Sequence, residues 1–233
     1  HWAESIQLLI WSVPMMKFNS AVFDLDGTLL DTLGDLRDSV NFALEKNNLP
    51  KRTTEEIRSF VGNGIRLLIE RAVPENTPIE ITDKCFSDFK EYYKDHSAIL
   101  TKAYDGIIDL LTTLKEKGVK IAVVSNKADF AVKTLMEDYF KGLYDCAYGE
   151  RAGVMRKPAP DAVFGAISEM GGNLENTVYI GDSDVDIETS KNAKLPCIAV
   201  TWGFRDKKVL ESLNPEYIVD SPSDILNIIE RGM

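Results

Sequence analysis

Cysteine and histidine are scarce in this chain, with three and two residues among 233. Cys85, Cys146 and Cys197 are far apart and odd in number. Neither a disulfide framework nor a CxxC zinc spacing is visible, and a reducing cytoplasm is the simpler setting. No stretch reaches the roughly 18 consecutive apolar residues of a membrane span, so no membrane partner is expected. Positive charge is also in short supply. Lys and Arg number 27 against 37 Asp and Glu, a formal net charge of −10. A chain this acidic lacks the basic footprint of a nucleic-acid binder. A small phosphorylated ligand stays compatible, because one cation in a cleft reverses the local field. Other phosphate chemistries lack their parts. There is no GxxxxGK loop, no Arg-His-Gly, and no Cys followed six positions later by Arg, since those positions hold Glu91, Ala152 and Gly203.

What is present describes a globular chain, 44% hydrophobic and 27% charged. Its length suits one sizeable domain or a domain with an insertion. "SIQLLIWSVP" near the start is apolar but has no basic leader or small-residue cleavage site, so a signal peptide is not indicated. Residues 1–16 read as an N-terminal appendage. Ile6, Leu9, Ile10 and Val13 mark the alternative, an accessory helix.

Short apolar runs then alternate with helix-period segments. Strands are expected at 20–25, 120–125, 177–182, 197–201 and 217–220, and their near-continuous apolarity suits a parallel sheet covered on both faces. Helices are expected over 105–117, from Pro160 to the Gly171-Gly172 pair, and from Ser221-Pro222 onward. This alternation means a doubly wound, mainly parallel α/β fold. Residues 32–101 break it. They hold helix signatures and no convincing strand, including capping boxes at Thr53-x-x-Glu56 and Thr77-Pro78-x-Glu80. A helical insertion at 32–101, within a core of 17–31 and 102–233, is therefore expected.

The chemistry gathers at strand ends. "AVFDLDGTLLDT" places Asp24 and Asp26 two residues apart where the first strand finishes. In extended backbone both lean to one side, and two close carboxylates need a proton or a cation between them. Alone, "DLDG" could equally be a turn, since Asp and Gly favour turns. "YIGDSDVDIE" adds Asp182, Asp184 and Asp186 at another strand end, although Ser183 there also suits a helix cap. Two such ends suggest one oxygen-liganded, Mg²⁺-like site at the carboxyl edge of the sheet. Neither His1 nor His96 is near these motifs, which disfavours zinc. Ser125 and Asn126 in "VVSNK" offer a hydroxyl and backbone N–H groups, and Lys157 in "RKPAP" offers an ammonium. Singly these would be a loop serine and a surface lysine. Beside the acidic clusters they read as a phosphate site.

In this order, "DLDGTLLDT", "VVSNK", "RKPAP" and "GDSDVD" resemble the four motifs of the haloacid dehalogenase superfamily, from Ser20 to Arg205. The resemblance implies a Rossmann-like core with a helical cap. It implies Asp24 as nucleophile forming an aspartyl phosphate, and Asp26 as acid and base. Mg²⁺ would be held by Asp24, the Asp26 carbonyl and Asp182, with Asp186 in support. Ser125, Asn126 and Lys157 would hold the phosphoryl group. Asp26 argues against the dehalogenase branch, which lacks that acid. A phosphomutase uses the same motifs, and a non-catalytic phospho-receiver remains the alternative outside enzymes, though it needs neither Asp26 nor a helical insert.

"GNGIRLLIERA" and "TWGFR" further resemble the phosphoglycolate phosphatase branch. There Gly62, Asn63, Gly64 and Arg66 would form a cap loop receiving a small carboxylate, although Arg66 could equally be a solvated helix charge. Pyrophosphatases, nucleotidases and sugar-phosphate phosphatases share such caps. The expected partner is a small phosphorylated metabolite, and the chain is expected as a monomer or homodimer. One departure is Lys194 in "NAKLP", where relatives usually carry Gly at a tight turn.

Overall fold

A computed structural model describes residues 16–232. The appendage of residues 1–16 and its helical alternative therefore lie, but for Met16, outside the described residues. The first strand, β1 (Ser20–Phe23), leads through a two-residue strand β2 (Leu30–Asp31) into four helices. These are α1 (Leu33–Lys46), α2 (Thr54–Phe60), α3 (Ile65–Ala72) and α4 (Ile79–His96). The chain returns through β3 (Lys102–Ala103), which pairs antiparallel with β2. It continues as α5 (Ile107–Glu116), β4 (Lys120–Ala128), α6 (Asp129–Phe140), β5 (Cys146–Glu150) and α7 (Asp161–Glu169). Then follow β6 (Thr177–Gly181), α8 (Asp184–Ala193), β7 (Cys197–Val200), α9 (Lys207–Ser212), β8 (Tyr217–Val219) and α10 (Pro222–Arg231).

Six strands form a sheet in the order β5-β4-β1-β6-β7-β8, and every pairing in it is parallel. The apolar runs are continuous because both faces are buried. Along β1, Ala21 and Phe23 pack with Ile107, Leu111 and Ile225 on one face, while Val22 packs with Val163, Ile167 and Ile187 on the other. The strands β4, β6 and β7 repeat this division, with Ile121, Val178 and Ile198 on the first face and Ala122, Tyr179 and Ala199 on the second. The fold is thus α/β and mainly parallel, as the alternation implied. β5 was not foreseen. Its sequence, CAYGE, is short and weakly apolar because an edge strand has one neighbour and partial cover.

The helices α1 to α4 bury their own cluster, in which Leu36, Val40, Ile57, Ile69 and Phe89 are central. Asp35, at the start of this segment, binds its end: the carboxylate accepts from the Leu100 N–H at 2.9 Å and the Thr101 N–H at 2.8 Å. The capping box at Thr53 and Glu56 is present in both directions. The one at Thr77 is not. α4 is preceded by Pro78, and the Thr77 hydroxyl instead donates to the Pro74 carbonyl at 2.7 Å, because residues 74–77 close a turn that takes it first.

Candidate active site

The strands β1, β4 and β6 deliver their C-terminal residues to one edge of the sheet. There Asp24, Asp26, Ser125, Asn126, Lys157, Asp182 and Asp186 line a single cavity of about 60 Å³. Gly62 and Gly64, on the loop between α2 and α3, line it from the helical segment. Two expected residues stand apart. Asn63 is not in the cavity wall. Arg66 is not in that wall either, its guanidinium bonded to Glu70 at 2.6 Å and Asp83 at 2.5 Å.

Lys157 organises the buried charges. Its ammonium, nearly inaccessible, lies 2.7 Å from Asp24 Oδ1, 2.8 Å from Asp186 Oδ1 and 3.1 Å from the Tyr179 hydroxyl. Burial opposes that charge, yet Asp186 and Asp24 outweigh it and hold the lysine well above its ordinary pKa. Its backbone is gripped as well: Asn126 donates to the Lys157 carbonyl at 3.0 Å and accepts from the Lys157 N–H at 2.9 Å. The same Asn126 amide donates to the Gly62 carbonyl at 3.2 Å, tying the helical segment to the core.

The carboxylates differ in how their lone pairs are used. Both oxygens of Asp186 are occupied, Oδ1 by Lys157 and Tyr179, Oδ2 by the Ser183 N–H and hydroxyl. Asp24 and Asp182 keep lone pairs open, each taking only a long bond from Thr28 besides one strong partner, Lys157 or the Phe204 N–H. Burial, then Asp186, pushes the Asp24 carboxyl well above the ordinary range. The same two causes raise Asp182 from 3.8 to about 7. Asp26 goes the other way. Burial acts upward on it too, but the Lys127 ammonium at 2.7 Å outweighs that, with help from Thr32 at 2.7 Å and Ser125 at 3.3 Å.

Asp24, Asp182 and Asp186 can each place one oxygen so that all three lie within 4.8 Å of one another. The donor set fits a hard divalent cation. Four buried or half-buried carboxylates face two ammonium groups, Lys157 and Lys127, and the raised Asp24 and Asp182 register that excess. Space for Asp182 is made by glycine, since a Cβ on Gly27 or Gly203 would overlap its side chain.

Sequence reasoning passed over three residues here. Lys127 stood inside "VVSNK" but reads as one more surface lysine. Tyr179 stood inside a strand, where its hydroxyl gives no sign of direction. Arg205, in "TWGFR", joins Asp184 at 2.8 Å to the backbone carbonyls of Arg58 at 3.2 Å and Val61 at 2.7 Å. It thereby bridges core and helical segment.

Carboxylates at the ends of two parallel strands, a buried lysine bridging them and helices inserted after the first strand define a class of hydrolase. A family model for haloacid dehalogenase-like hydrolases matches residues 21–200, and the chain belongs to that family. It is 33% identical over 222 residues to a phosphoglycolate phosphatase of Agrobacterium fabrum, covering 91% of this chain and 94% of that protein. A phosphoglycolate phosphatase of Aquifex aeolicus is 29% identical, with 90% and 96% covered. Among solved structures, one from Lactobacillus delbrueckii subsp. bulgaricus, provisionally assigned as a phosphoglycolate phosphatase, superposes with a TM-score of 0.88. It is 36% identical and covers 93% of this chain and 100% of its own.

Proposed function

We propose that this chain is a Mg²⁺-dependent phosphomonoesterase acting through an aspartyl phosphate, with 2-phosphoglycolate as its substrate. The observation that carries this is the convergence of Asp24, Asp182 and Asp186 within 4.8 Å beside the Lys157 ammonium. The names of the relatives supply the substrate. Asp24, Asp182 and the Asp26 carbonyl would hold Mg²⁺, with Asp186 orienting Lys157. When bound, the ion supplies charge neutralisation at the phosphoryl oxygens.

The protein's own groups account for the rest. A carboxylate oxygen of Asp24 attacks phosphorus while the ester P–O bond breaks, and Asp26 delivers a proton to the departing alkoxide. Lys127 keeps Asp26 ionised at rest. The proton therefore arrives with the substrate, whose phosphate is partly protonated near its second pKa of about 6, and Asp26 takes it up before passing it to the alkoxide. Asp26 then takes a proton from the hydrolytic water, which attacks phosphorus as the Asp24–phosphorus bond breaks, and returns that proton to the departing phosphate, leaving Asp24 free. Lys157 and the Ser125 hydroxyl hold the transferring group and offset its charge. Residues 32–101 act as a cap over the core of 17–31 and 102–233, with Gly62 and Gly64 closing the cleft. A receiver module would need neither Asp26 nor this cover.

The test is a panel of small phosphate esters assayed with Mg²⁺ and with excess chelator, using Asp24→Asn as control. Turnover that survives chelation or the substitution defeats the mechanism. A rank for 2-phosphoglycolate far below sugar phosphates or nucleotides defeats the substrate.

A further inference from the structure

The cavity at the carboxylates has room for a phosphoryl group and little more, at about 60 Å³. A second cavity of about 520 Å³ adjoins it between the helical segment and the core, and the two share Ile65 and Lys127 in their walls. Lys127 is the residue that holds Asp26. The buried Lys127 side chain thus stands between the two cavities.

Two features of its wall point to one chemistry. Phe130, at the start of α6, is 63% exposed, and it borders the cavity together with Phe86. A large wet ring at a cavity wall is a surface for another flat apolar group. Lys90, Lys94 and Arg156 also line the space and form no ion pair among the described residues, while Glu150 is the sole acid in the wall. In a chain of net charge −10 this is a local reversal of sign.

We propose that this cavity is a leaving-group subsite for phosphate esters whose alcohol carries a flat apolar ring and a second negative charge. The ring lies against Phe130, and the charge is met by Lys90, Lys94 and Arg156. This rests on the phosphatase reading of the adjoining carboxylates but widens the substrate class, because the two carbons of glycolate leave most of the volume unused.

The test is equilibrium binding by calorimetry to the Asp24→Asn protein, so that occupancy is read without turnover. The probes are 4-carboxyphenyl phosphate, phenyl phosphate and inorganic phosphate. The first is expected to bind about tenfold tighter than the second. Lys90→Glu, at an exposed position, should erase most of that difference. Phe130→Ala should weaken both aryl esters and leave inorganic phosphate unchanged. Equal affinity for the two aryl esters, insensitivity to both substitutions, or no binding of 4-carboxyphenyl phosphate at millimolar concentration overturns the subsite. Should the wild-type protein hydrolyse no phosphate ester while this binding pattern holds, the phosphatase reading fails and the subsite stands.

Discussion

Replacing Lys157 by Met keeps the length of the side chain and removes the charge that bridges Asp24 and Asp186. In the native protein its ammonium is within 2.8 Å of one oxygen of each, and both carboxylates are almost inaccessible to water. Breaking a buried pair from one side strands the partner charge, which costs about 3–5 kcal/mol. Here two partners are stranded, so the upper part of that range applies. For a chain of this size each kcal/mol moves the melting temperature by roughly 2–4 °C, giving an expected loss of about 10–20 °C in metal-free protein. The loss should be largest above pH 7 and narrow as pH falls. Burial already raises Asp24 and Asp182, and without the lysine both take up protons more readily, which cancels the stranded charge. Mg²⁺ should restore part of the stability and none of the turnover, since the ammonium facing the phosphoryl group is gone. Thermal melts of both proteins at pH 5 and 8, in chelator and in Mg²⁺, make the measurement. A loss under about 1 kcal/mol at pH 8 in chelator, at the level of an exposed pair, would show that Lys157 does not neutralise the site.

The wild-type protein carries its own pH signature. Asp182 is raised from 3.8 to about 7, so the stability it contributes is complete below pH 4 and is lost as pH rises through 7. Metal-free protein should melt lower at pH 8 than at pH 5.5, with the larger Mg²⁺-induced increase at pH 8; the reverse order would exclude Asp182 as a ligand. Asp26→Asn should lower turnover by about 10²–10⁴, with a smaller loss for 4-nitrophenyl phosphate, whose leaving group needs no proton. Equal losses across leaving groups would remove the acid role. Lys194 holds a left-handed backbone at φ 58° where it ends α8. Lys194→Gly should therefore stabilise by about 0.5–1 kcal/mol in urea melts at unchanged activity, and a loss would mean the side chain matters more than the strain.

Strand-end chemistry was legible because a carboxylate after a buried apolar run has no stabilising role in packing. Asp24, Asp26, Asp182 and Asp186 stand out for that reason, and the glycines among them mark close backbone approach. The Lys194 departure was legible too, since a lysine where a glycine turn is expected predicts the positive φ that the backbone adopts. Arg66 shows the opposite case. Its place three residues after Gly62-Asn63 suggested a ligand for a carboxylate, but the turn of α3 directs it to Glu70 and Asp83. A helix places neighbours by a periodicity of 3.6, and a one-position change in phase carries a side chain away from the carboxylate cavity.

By itself the sequence determined the alternation that makes a parallel sheet, the helical insertion after its first strand, and the acidic residues that close β1 and β6. Apolar periodicity and like-charge repulsion are local, and local patterns can be read along a chain. Only the tertiary structure decided that Lys127 meets Asp26, that Tyr179 and Asp186 share Lys157, and that Arg205 reaches the carbonyls of Arg58 and Val61. Those pairings join residues far apart in the chain, and a lysine has the same composition and charge whether it ends in water or between two carboxylates. Burial, which packing alone assigns, makes the difference.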